Sequence, residues 1–461
     1  MENTLASVFR AYDIRGLAPE QIDSAFAKRL GKAVVAQFGP KRVLIGRDMR
    51  VTSFPLESAL IEGLTSSGVN VVRIGLCSTP MFNVLVGLAG GTFDMGIMIT
   101  ASHNPGKYNG FKLVHGGCQP IGEGSGMEEL RDAFLAERSV TAEHVGTAVD
   151  DPTALDRYID HIIALATLPK DMPDLKVAID AGNGMAGAVL PRLLDKLPWL
   201  SVVPLYFDPD GTFPNHEANP IKAETLVHLK RVVVDDGCVA GVAFDGDADR
   251  VGFVDENGEQ LAGDLLTAFF SQEILKEFSG ALIHYNVNCS WTVPEVVAEN
   301  GGRSGICKVG HAFIKKLMRE TGAVFAGETS MHFYFKDLWF CESGDLAMLL
   351  LLRRLVREAK PLSELWKPLK RYVHSAEINF EVADKMGMIK TLKDAYAASA
   401  SSVLELDGIR LEFRDATHPE NDWWFGIRAS NTEPLLRLNA EARTQEQLDV
   451  HIAELTKRIK A

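Results

Sequence analysis

Residues 93–112, FDMGIMITASHNPGKYNGFK, join an apolar run to a loop rich in reactive side chains. The run Phe93–Ile99 is typical of a buried strand, with a helix as the weaker alternative. Thr100 and Ser102 follow it at once, then His103 and a proline that forbids helix continuation. A serine at a strand end, among proton carriers and lysines, is where a covalent phosphoryl carrier would lie. The alternative is a plain polar turn. The other motifs of the chain are needed to decide between a phosphoryl carrier and a turn.

Elsewhere the chain alternates short β-branched runs with longer amphipathic ones, which indicates an α/β fold. Three strand-like runs end in a polar or glycine-rich bend: GRDMR from Gly46, DAGNG from Asp180 and HYNVN from His284. We therefore predict one α/β unit with a mixed sheet, used three times. From Ser375 onward, alternating segments followed by a helical C-terminus predict a smaller α+β domain. The predicted domains are residues 1–148, 149–251, 252–368 and 369–461.

Bulk properties exclude several classes of partner. The chain has 461 residues, 46% of them hydrophobic, and a net charge of −13, so no basic stripe is available for nucleic acid. A small phosphorylated substrate needs only a local cationic site. The most apolar run, Leu346–Leu352, is too short to span a membrane. Six scattered cysteines without a CxxC pair, and no visible signal peptide, lead us to expect a cytoplasmic protein with reduced thiols.

The segment FDGDADR, residues 244–250, predicts a metal site. Asp245, Asp247 and Asp249 alternate, so an extended or looped backbone can converge their carboxylates, and such hard oxygen ligands suit Mg²⁺ or Ca²⁺. An EF-hand loop would need glycine where Arg250 stands and helices where the flanks look like strands. A plain acidic turn is the other alternative. Arg250 can either neutralise the acids or reach a substrate phosphate.

Two further loops are rich in hydrogen-bonding groups. In GETSMH, residues 327–332, an extended segment would point Glu328 and Ser330 the same way, as two groups that bracket sugar hydroxyls. In GIRASNTEPLLR, residues 426–437, a cluster of donors predicts a grip on a phosphate dianion. Its members are Arg428, Ser430, Asn431 and Thr432. Either segment could also be an ordinary polar loop, and the histidines His311 and His332 could be structural.

These four loops, in this order, resemble those of the α-D-phosphohexomutase superfamily, and FRAYDIRG at residues 9–16 matches as well. The resemblance covers essentially the whole chain. It is closest to the phosphomannomutase and phosphomannomutase/phosphoglucomutase branch, in which the loops read TASHNP, DGDxDR and R-x-SNTEP. Phosphoglucosamine mutases tend to have DGDGDR and SGTEP, so Ala248 and Asn431 argue against that branch.

The resemblance implies four domains around a deep cleft, each contributing one loop: the phosphoserine, metal, sugar and phosphate loops in chain order. It implies an isomerase that interconverts hexose 6-phosphates and 1-phosphates, of mannose and possibly glucose, through phospho-Ser102 and a hexose 1,6-bisphosphate that also serves as activator. One Mg²⁺ is held by a phosphoserine oxygen of Ser102 and by Asp245, Asp247 and Asp249. The expected partner is the phosphosugar alone, without nucleic acid or membrane, and the chain is expected to be a monomer or weak dimer.

The resemblance also implies a role for individual residues. Lys112 accepts the proton of the attacking hydroxyl, with its pKa lowered by nearby cations. Further catalytic positions are Arg15, His103 and His311. Glu328 and Ser330 read the sugar, and the donor cluster at residues 428–432 holds the phosphate that is not reacting. Other substrate-binding positions are Tyr12, Arg250, Lys308 and His332.

Two departures from the superfamily pattern are visible. Asn286–Asn288 replaces a segment in which many relatives carry a lysine or arginine, and Thr329 and Met331 change the sugar loop, so the sugar preference is not inherited. Phosphoglucosamine mutase and a phosphosugar- or metal-binding protein without turnover remain as alternatives, although binding alone requires no nucleophile.

Overall fold

The computed structural model describes residues 5–429 and 435–460. The helices are α1 (Ser24–Phe38), α2 (Ser53–Thr65), α3 (Thr79–Leu88), α4 (Met127–Leu135), α5 (Ala154–Ala166), α6 (Ala186–Leu194), α7 (Val227–Asp235), α8 (Gly263–Glu277), α9 (Thr292–Glu299), α10 (His311–Thr321), α11 (Gly344–Glu358), α12 (Leu362–Trp366), α13 (Lys385–Tyr396) and α14 (Gln445–Ile459).

The strands are β1 (Ile14–Leu17), β2 (Arg42–Arg47), β3 (Asn70–Leu76), β4 (Met95–Ile99), β5 (Tyr108–His115), β6 (Gln119–Pro120), β7 (Ala148–Asp150), β8 (Leu175–Asp180), β9 (Leu200–Leu205), β10 (Ala240–Phe244), β11 (Val251–Asp255), β12 (Leu282–Asn286), β13 (Arg303–Cys307), β14 (Phe325–Gly327), β15 (Phe333–Phe335), β16 (Cys341–Glu342), β17 (Val373–His374), β18 (Ile378–Glu381), β19 (Ser402–Leu404), β20 (Ile409–Phe413), β21 (Trp423–Ala429) and β22 (Leu435–Ala442).

The chain forms two compact units. The first comprises residues 1–263, 315–325 and 330–365, and the second comprises residues 264–314, 326–329 and 366–461.

The first unit begins with a mixed sheet in the order β1-β5-β4-β2-β3-β7, with β6 on β5. The strands β2, β3, β4 and β7 run parallel, and β1 and β5 run antiparallel to their neighbours. All five residues of β4 are buried, which explains the apolar run. Helix α1 starts at Ser24, because the Asp23 side chain accepts the N–H of Phe26 and caps the helix.

A second sheet of the first unit has the order β11-β10-β8-β9. Its strands β8, β9 and β10 are parallel, and β11 returns antiparallel to β10. The tight turn between β10 and β11 is the predicted metal loop, so its strand flanks confirm that this is not an EF-hand. Helix α7 begins at Val227, after a 3₁₀ turn at Ala223–Leu226.

The second unit contains the parallel pair β12 and β13 and an antiparallel sheet in the order β17-β22-β21-β20-β19, with β18 on β22. Helices α13 and α14 bury residues such as Leu392 and Leu455 in the core of this sheet. The alternating segments predicted after Ser375 are its strands. No helix within residues 5–429 and 435–460 is long and apolar enough to cross a membrane.

Candidate active site

Ser102 lies directly after β4, where the chain turns toward the second sheet. Its φ of 50° is in the left-handed region, and its N–H donates to Thr100 Oγ1 over 2.9 Å. Its Oγ donates to Asp245 Oδ2 over 3.0 Å and lies 3.2 Å from His103 Nδ1. The carboxyl ends of β4 and β10 therefore bring the serine and the metal loop into one site.

Gly246 allows this close approach of the two loops. A Cβ at this position would lie 2.5 Å from the backbone oxygen of Ser102, which no side chain tolerates. The conformation of the short polar loop after β10 thus depends on the serine loop packed against it as well as on its own aspartates.

Arg50 holds the serine loop in place. Its guanidinium donates to the backbone oxygens of Ser102 (2.7 Å), Asn104 (2.6 Å), Pro105 (2.9 Å) and Tyr108 (3.0 Å). The side chain is fully buried and paired with Asp48. Since four carbonyl groups converge on one cation, Arg50 fixes the loop geometry although it lies about fifty residues earlier in the chain.

The three aspartates form a buried cluster. Each offers a carboxylate oxygen, and these oxygens lie within 4.8 Å of one another. Oδ1 of Asp247 and Oδ1 of Asp249 have no hydrogen-bond partner among the described residues. Burial and the two neighbouring carboxylates raise the pKa of Asp245 well above its usual range. Such a cluster fits a divalent cation with oxygen ligands, which would relieve the repulsion and satisfy the orphaned oxygens.

Lys112 pairs with two members of the cluster. Its Nζ lies 2.8 Å from Asp247 Oδ2 and 2.7 Å from Asp249 Oδ2. Burial alone would lower the pKa of Lys112, but these two carboxylates outweigh burial and raise it. The expectation that nearby cations lower this pKa is therefore wrong for the protein chain by itself, because its nearest charged neighbours are anions. Lys112 is an ammonium here.

His103 contacts the serine, and Arg15 contacts the loop that follows it. The charge of Arg250, then burial and the charge of Arg15, hold the pKa of His103 well below its usual range, so its imidazole is neutral. Arg15 donates to Asn104 Oδ1 over 2.9 Å and pairs with Asp13. Tyr12 is half-buried in the bend that precedes Arg15 in the chain.

Arg250 and His332 close the metal loop from the side of β15. Arg250 Nε donates to His332 Nε2 over 3.2 Å, and the same ring nitrogen lies 3.2 Å from Asp249 Oδ1. Ser330 Oγ lies 3.0 Å from His332 Nδ1. Thr329 and Ser330 form a turn rather than the extended segment assumed in the sequence analysis, so the alternation argument for Glu328 and Ser330 does not apply.

The second unit carries the other predicted residues. Glu328 is buried and accepts the N–H of Gly310 over 3.2 Å. Gly310 lies in sequence between Lys308 and His311, and His311 is the first residue of α10. Arg428 ends β21 and lies 3.5 Å from a carboxylate oxygen of Glu377. Ser430, Asn431 and Thr432 lie outside the described residues.

Asn286, where many relatives were expected to carry a basic residue nearby, is buried. It donates to Thr329 Oγ1 over 3.2 Å, which gives this position a structural partner.

The second unit also holds a cluster of its own: Asp264, His374 and Glu441 have side-chain atoms within 4.8 Å of one another. His374 Nδ1 lies 2.6 Å from the backbone oxygen of Ser375, and Nε2 lies 3.0 Å from that of Asn288. Both ring nitrogens of His374 therefore face backbone carbonyl oxygens, and neither is directed to a metal ion.

Four family models match the chain in succession. They are the alpha/beta/alpha domains I, II and III of phosphoglucomutase/phosphomannomutase and its C-terminal domain, over residues 6–140, 156–258, 262–372 and 377–457. The chain belongs to the phosphoglucomutase/phosphomannomutase family. The predicted four-domain α/β fold and the enzyme class, an isomerase of hexose phosphates, are confirmed with it.

Individual relatives agree over nearly the full length. A phosphomannomutase of Methanocaldococcus jannaschii is 39% identical, covering 97% of this chain and 96% of its own. A phosphomannomutase/phosphoglucomutase of Pseudomonas putida is 35% identical, covering 96% and 93%. A crystal structure of a phosphoglucomutase/phosphomannomutase family protein from Burkholderia thailandensis superposes with a TM-score of 0.88 at 33% identity, over 99% of this chain and 97% of that one.

In the present chain, the first unit brings together most of the predicted catalytic and metal-binding residues, as the loop motifs predicted. They are Ser102, Lys112, His103, Arg15 and the three aspartates. Sequence reasoning missed Arg50 and Thr79, whose Oγ1 donates to Asp247 Oδ2 over 2.6 Å. Arg50 had a signal, since GRDMR stands at a strand end like the other functional loops. Thr79 had none, because it is an ordinary first residue of a capped helix.

Proposed function

We propose that this mutase moves the phosphoryl group of a hexose monophosphate between O6 and O1 through phospho-Ser102 and a hexose 1,6-bisphosphate. Mannose phosphates are the first expected substrates and glucose phosphates the second. The observation that carries the proposal is the Ser102 Oγ, 3.0 Å from a carboxylate of a buried three-aspartate cluster. A protein that only binds phosphosugars has no use for a nucleophile in that position.

Mg²⁺ is the cation we assign to this cluster, with Asp245, Asp247, Asp249 and an oxygen of phospho-Ser102 as its ligands. When bound, it would offset the charge that spreads over the phosphoryl oxygens during transfer. The support is the set of hard oxygen ligands, two of them orphaned, and the mutual repulsion that raises the pKa of Asp245.

In the transfer step, the bond between phosphorus and Ser102 Oγ breaks as a sugar hydroxyl oxygen bonds to phosphorus. The proton that the hydroxyl loses is balanced by the one that Ser102 Oγ regains. His103 is neutral and within 3.2 Å of Ser102 Oγ, so we assign it the proton exchanged on the serine side. Lys112 was predicted as the base for the sugar hydroxyl. Since it is an ammonium paired with Asp247 and Asp249, we assign it instead to stabilising the charge of the transferring group.

The remaining predicted residues are assigned to the substrate. Arg428, Ser430, Asn431 and Thr432 bind the phosphate that is not reacting, while Glu328 and Ser330 contact the sugar hydroxyls. Arg15 and His311 keep their predicted catalytic roles, and further substrate contacts are assigned to Tyr12, Arg250, Lys308 and His332. The domain boundaries, the cytoplasmic location, the bisphosphate activator and the monomer or weak dimer stay predictions.

The experiment that tests this function compares kcat/KM for the 1-phosphates of mannose, glucose and glucosamine, with Mg²⁺ and a trace of the corresponding 1,6-bisphosphate. We expect mannose 1-phosphate to give the largest value. A higher value for glucosamine would select the phosphoglucosamine mutase alternative. Ser102→Ala is the matched control, because it removes one oxygen and should abolish turnover on every sugar. If that variant kept full activity, the covalent-carrier mechanism would be wrong.

A further inference from the structure

Thr79 contacts the metal loop at two points. Its backbone N–H donates to the backbone oxygen of Asp247 over 2.9 Å, and its Oγ1 donates to Asp247 Oδ2 over 2.6 Å. Both residues are buried. The first residue of α3 therefore binds the main chain and the carboxylate of one aspartate, although 168 positions separate the two in the sequence.

The two carboxylate oxygens of Asp247 have different surroundings. Oδ2 accepts hydrogen bonds from Thr79 Oγ1 and, over 2.8 Å, from Lys112 Nζ, and Thr100 Oγ1 lies 3.4 Å from it. Oδ1 is buried and has no hydrogen-bond partner among the described residues. Because all three donors approach the same oxygen, they fix the rotation of the carboxylate and leave Oδ1 available to a cation.

Thr100 joins this arrangement to the serine loop. Its Oγ1 accepts the N–H of Ser102 over 2.9 Å, and its hydroxyl proton is then available to Asp247. The hydroxyl groups of Thr79 and Thr100 thus both contact Oδ2. The Thr79 bond is the shorter, and a backbone hydrogen bond to the same aspartate accompanies it, so Thr79 holds Asp247 more firmly.

Helix α3 gives Thr79 a fixed position. The Ser78 side chain accepts a helix N–H over 3.2 Å as the N-cap, and every residue from Thr79 to Gly87 is buried. Gly96 of β4 packs so close to the helix that a Cβ there would lie 2.7 Å from the Phe82 ring. Since its cap and its packing hold the helix, the hydroxyl at its first residue can orient a carboxylate without moving itself.

We propose that Thr79 is a positioning residue for the metal site, which holds Asp247 by Oδ2 and keeps Oδ1 ready as the cation ligand. A carboxylate that is already oriented loses less conformational freedom when it binds a cation, so Thr79 raises the affinity of the loop for Mg²⁺. Thr79 is 2% exposed, so it acts through Asp247 and does not touch the sugar. The proposal rests on the proposed function, which assigns Mg²⁺ to the three aspartates.

The test measures the Mg²⁺ dissociation constant by isothermal titration calorimetry on the full-length protein, treated with phosphatase so that Ser102 is in one state. Thr79→Val keeps the shape and the backbone N–H but removes the hydroxyl, and the dissociation constant should rise about 10- to 100-fold. Thr79→Ser keeps the hydroxyl and should restore nearly the wild-type value. Thr65→Val is the matched control, because the Thr65 hydroxyl bonds a backbone oxygen within α2 and its loss should not change Mg²⁺ affinity.

Steady-state kinetics separates positioning from a general loss of structure. Thr79→Val should lower kcat at limiting Mg²⁺, regain most of it at saturating Mg²⁺ and keep the wild-type KM for the sugar phosphate. The reason is that the variant loses cation affinity and no substrate contact. A purely structural role would lower the stability of Thr79→Val in urea and leave its Mg²⁺ dissociation constant at the wild-type value, which would overturn the proposal.

The proposal is also overturned if Thr79→Val, with its circular dichroism unchanged, binds Mg²⁺ as tightly as the wild type, and the mutase function would then stand. If the wild type and Asp247→Asn bind Mg²⁺ equally, the metal assignment fails and the proposal fails with it. Thr79→Ala removes the same hydroxyl with a smaller side chain, and it decides between the same results if the valine variant does not fold.

Discussion

Asp245, Asp247 and Asp249 in the first unit resemble Asp264 and Glu441 in the second, because each set gathers buried carboxylates near at least one nitrogen-bearing side chain. In the second unit that side chain is His374, whose two ring nitrogens are bound by backbone carbonyl groups of the fold. Glu441 Oε1 there also accepts the N–H of Trp291 and the indole N–H of Trp424. In the first unit, three carboxylates outnumber the cations Lys112 and Arg250 that lie within 4.0 Å of them.

The difference shows what separates a structural cluster from a functional one. In the second cluster, three of the four carboxylate oxygens accept hydrogen bonds from the protein, and Glu441 Oε2 is the one without a partner among the described residues. The first leaves two buried oxygens without partners among the described residues and places a nucleophilic hydroxyl beside them. A cluster short of positive charge, next to a nucleophile, is therefore the one that fits a metal and a phosphoryl group.

Removing the cation of the first cluster should have the largest effect. Lys112→Met should lower kcat/KM about 1,000-fold, because charge stabilisation of the transferring group is lost. Lys112→Arg keeps the charge but cannot act as a base, and should stay within about 10-fold of wild type. Steady-state kinetics with matched circular dichroism measures both. An arginine variant as inactive as the methionine variant would restore Lys112 to the role of general base.

Removing His374 from the second cluster should affect stability instead of chemistry. His374→Leu removes the ring whose two nitrogens contact backbone carbonyl groups beside the buried Glu441, and we expect the free energy of unfolding to fall by about 3 kcal/mol. The value of kcat/KM at 25 °C should not change. His418→Leu is the control, since His418 pairs with Glu420 on the surface and its loss should cost less than about 1 kcal/mol. Equal stability of the two variants would contradict the structural role of His374.

Asp345 is a third kind of buried carboxyl group, and it accepts a hydrogen bond from the Tyr158 hydroxyl. Burial, only partly offset by this bond, raises its pKa to about 6. Its folded pKa exceeds the unfolded value of about 4, so its contribution to stability is full below pH 4 and is lost as the pH rises through 6.

Asp345→Asn should remove that pH dependence and unfold at a higher urea concentration than wild type at pH 8, by about 2 kcal/mol in free energy. Urea titrations at pH 5 and pH 8 measure the difference. Variant and wild-type stabilities that differ equally at both pH values would show that Asp345 does not titrate in this range.

Metal binding should give the smallest effect. Mg²⁺ at about 30 times its dissociation constant should stabilise the wild type against unfolding by about 2 kcal/mol. Asp247→Asn should lose this protection, whereas His374→Leu should retain it, because only the first cluster offers ligands. Thermal melts with Mg²⁺ and with a chelator test this, and equal protection of both variants would place the metal elsewhere.

Most of the fold was predictable because β4, β8 and β10 are continuous apolar runs that end in polar loops. The serine and the aspartates could be found for the same reason. What the sequence could not supply is long-range pairing. That Lys112 faces Asp247 and Asp249, and so has a raised pKa, depends on how two sheets meet. Likewise, Arg50 binds carbonyl oxygens, which carry no signature in the sequence.

The central claim is that Ser102 carries the phosphoryl group, and peptide mapping by mass spectrometry tests it most directly. The protein is treated with phosphatase and then incubated with mannose 1,6-bisphosphate and Mg²⁺. The account predicts one phosphoryl group per chain, located on Ser102, which passes to unlabelled mannose 1-phosphate when that substrate is added. Full mutase turnover with no phosphoryl group on Ser102 at any stage would contradict it.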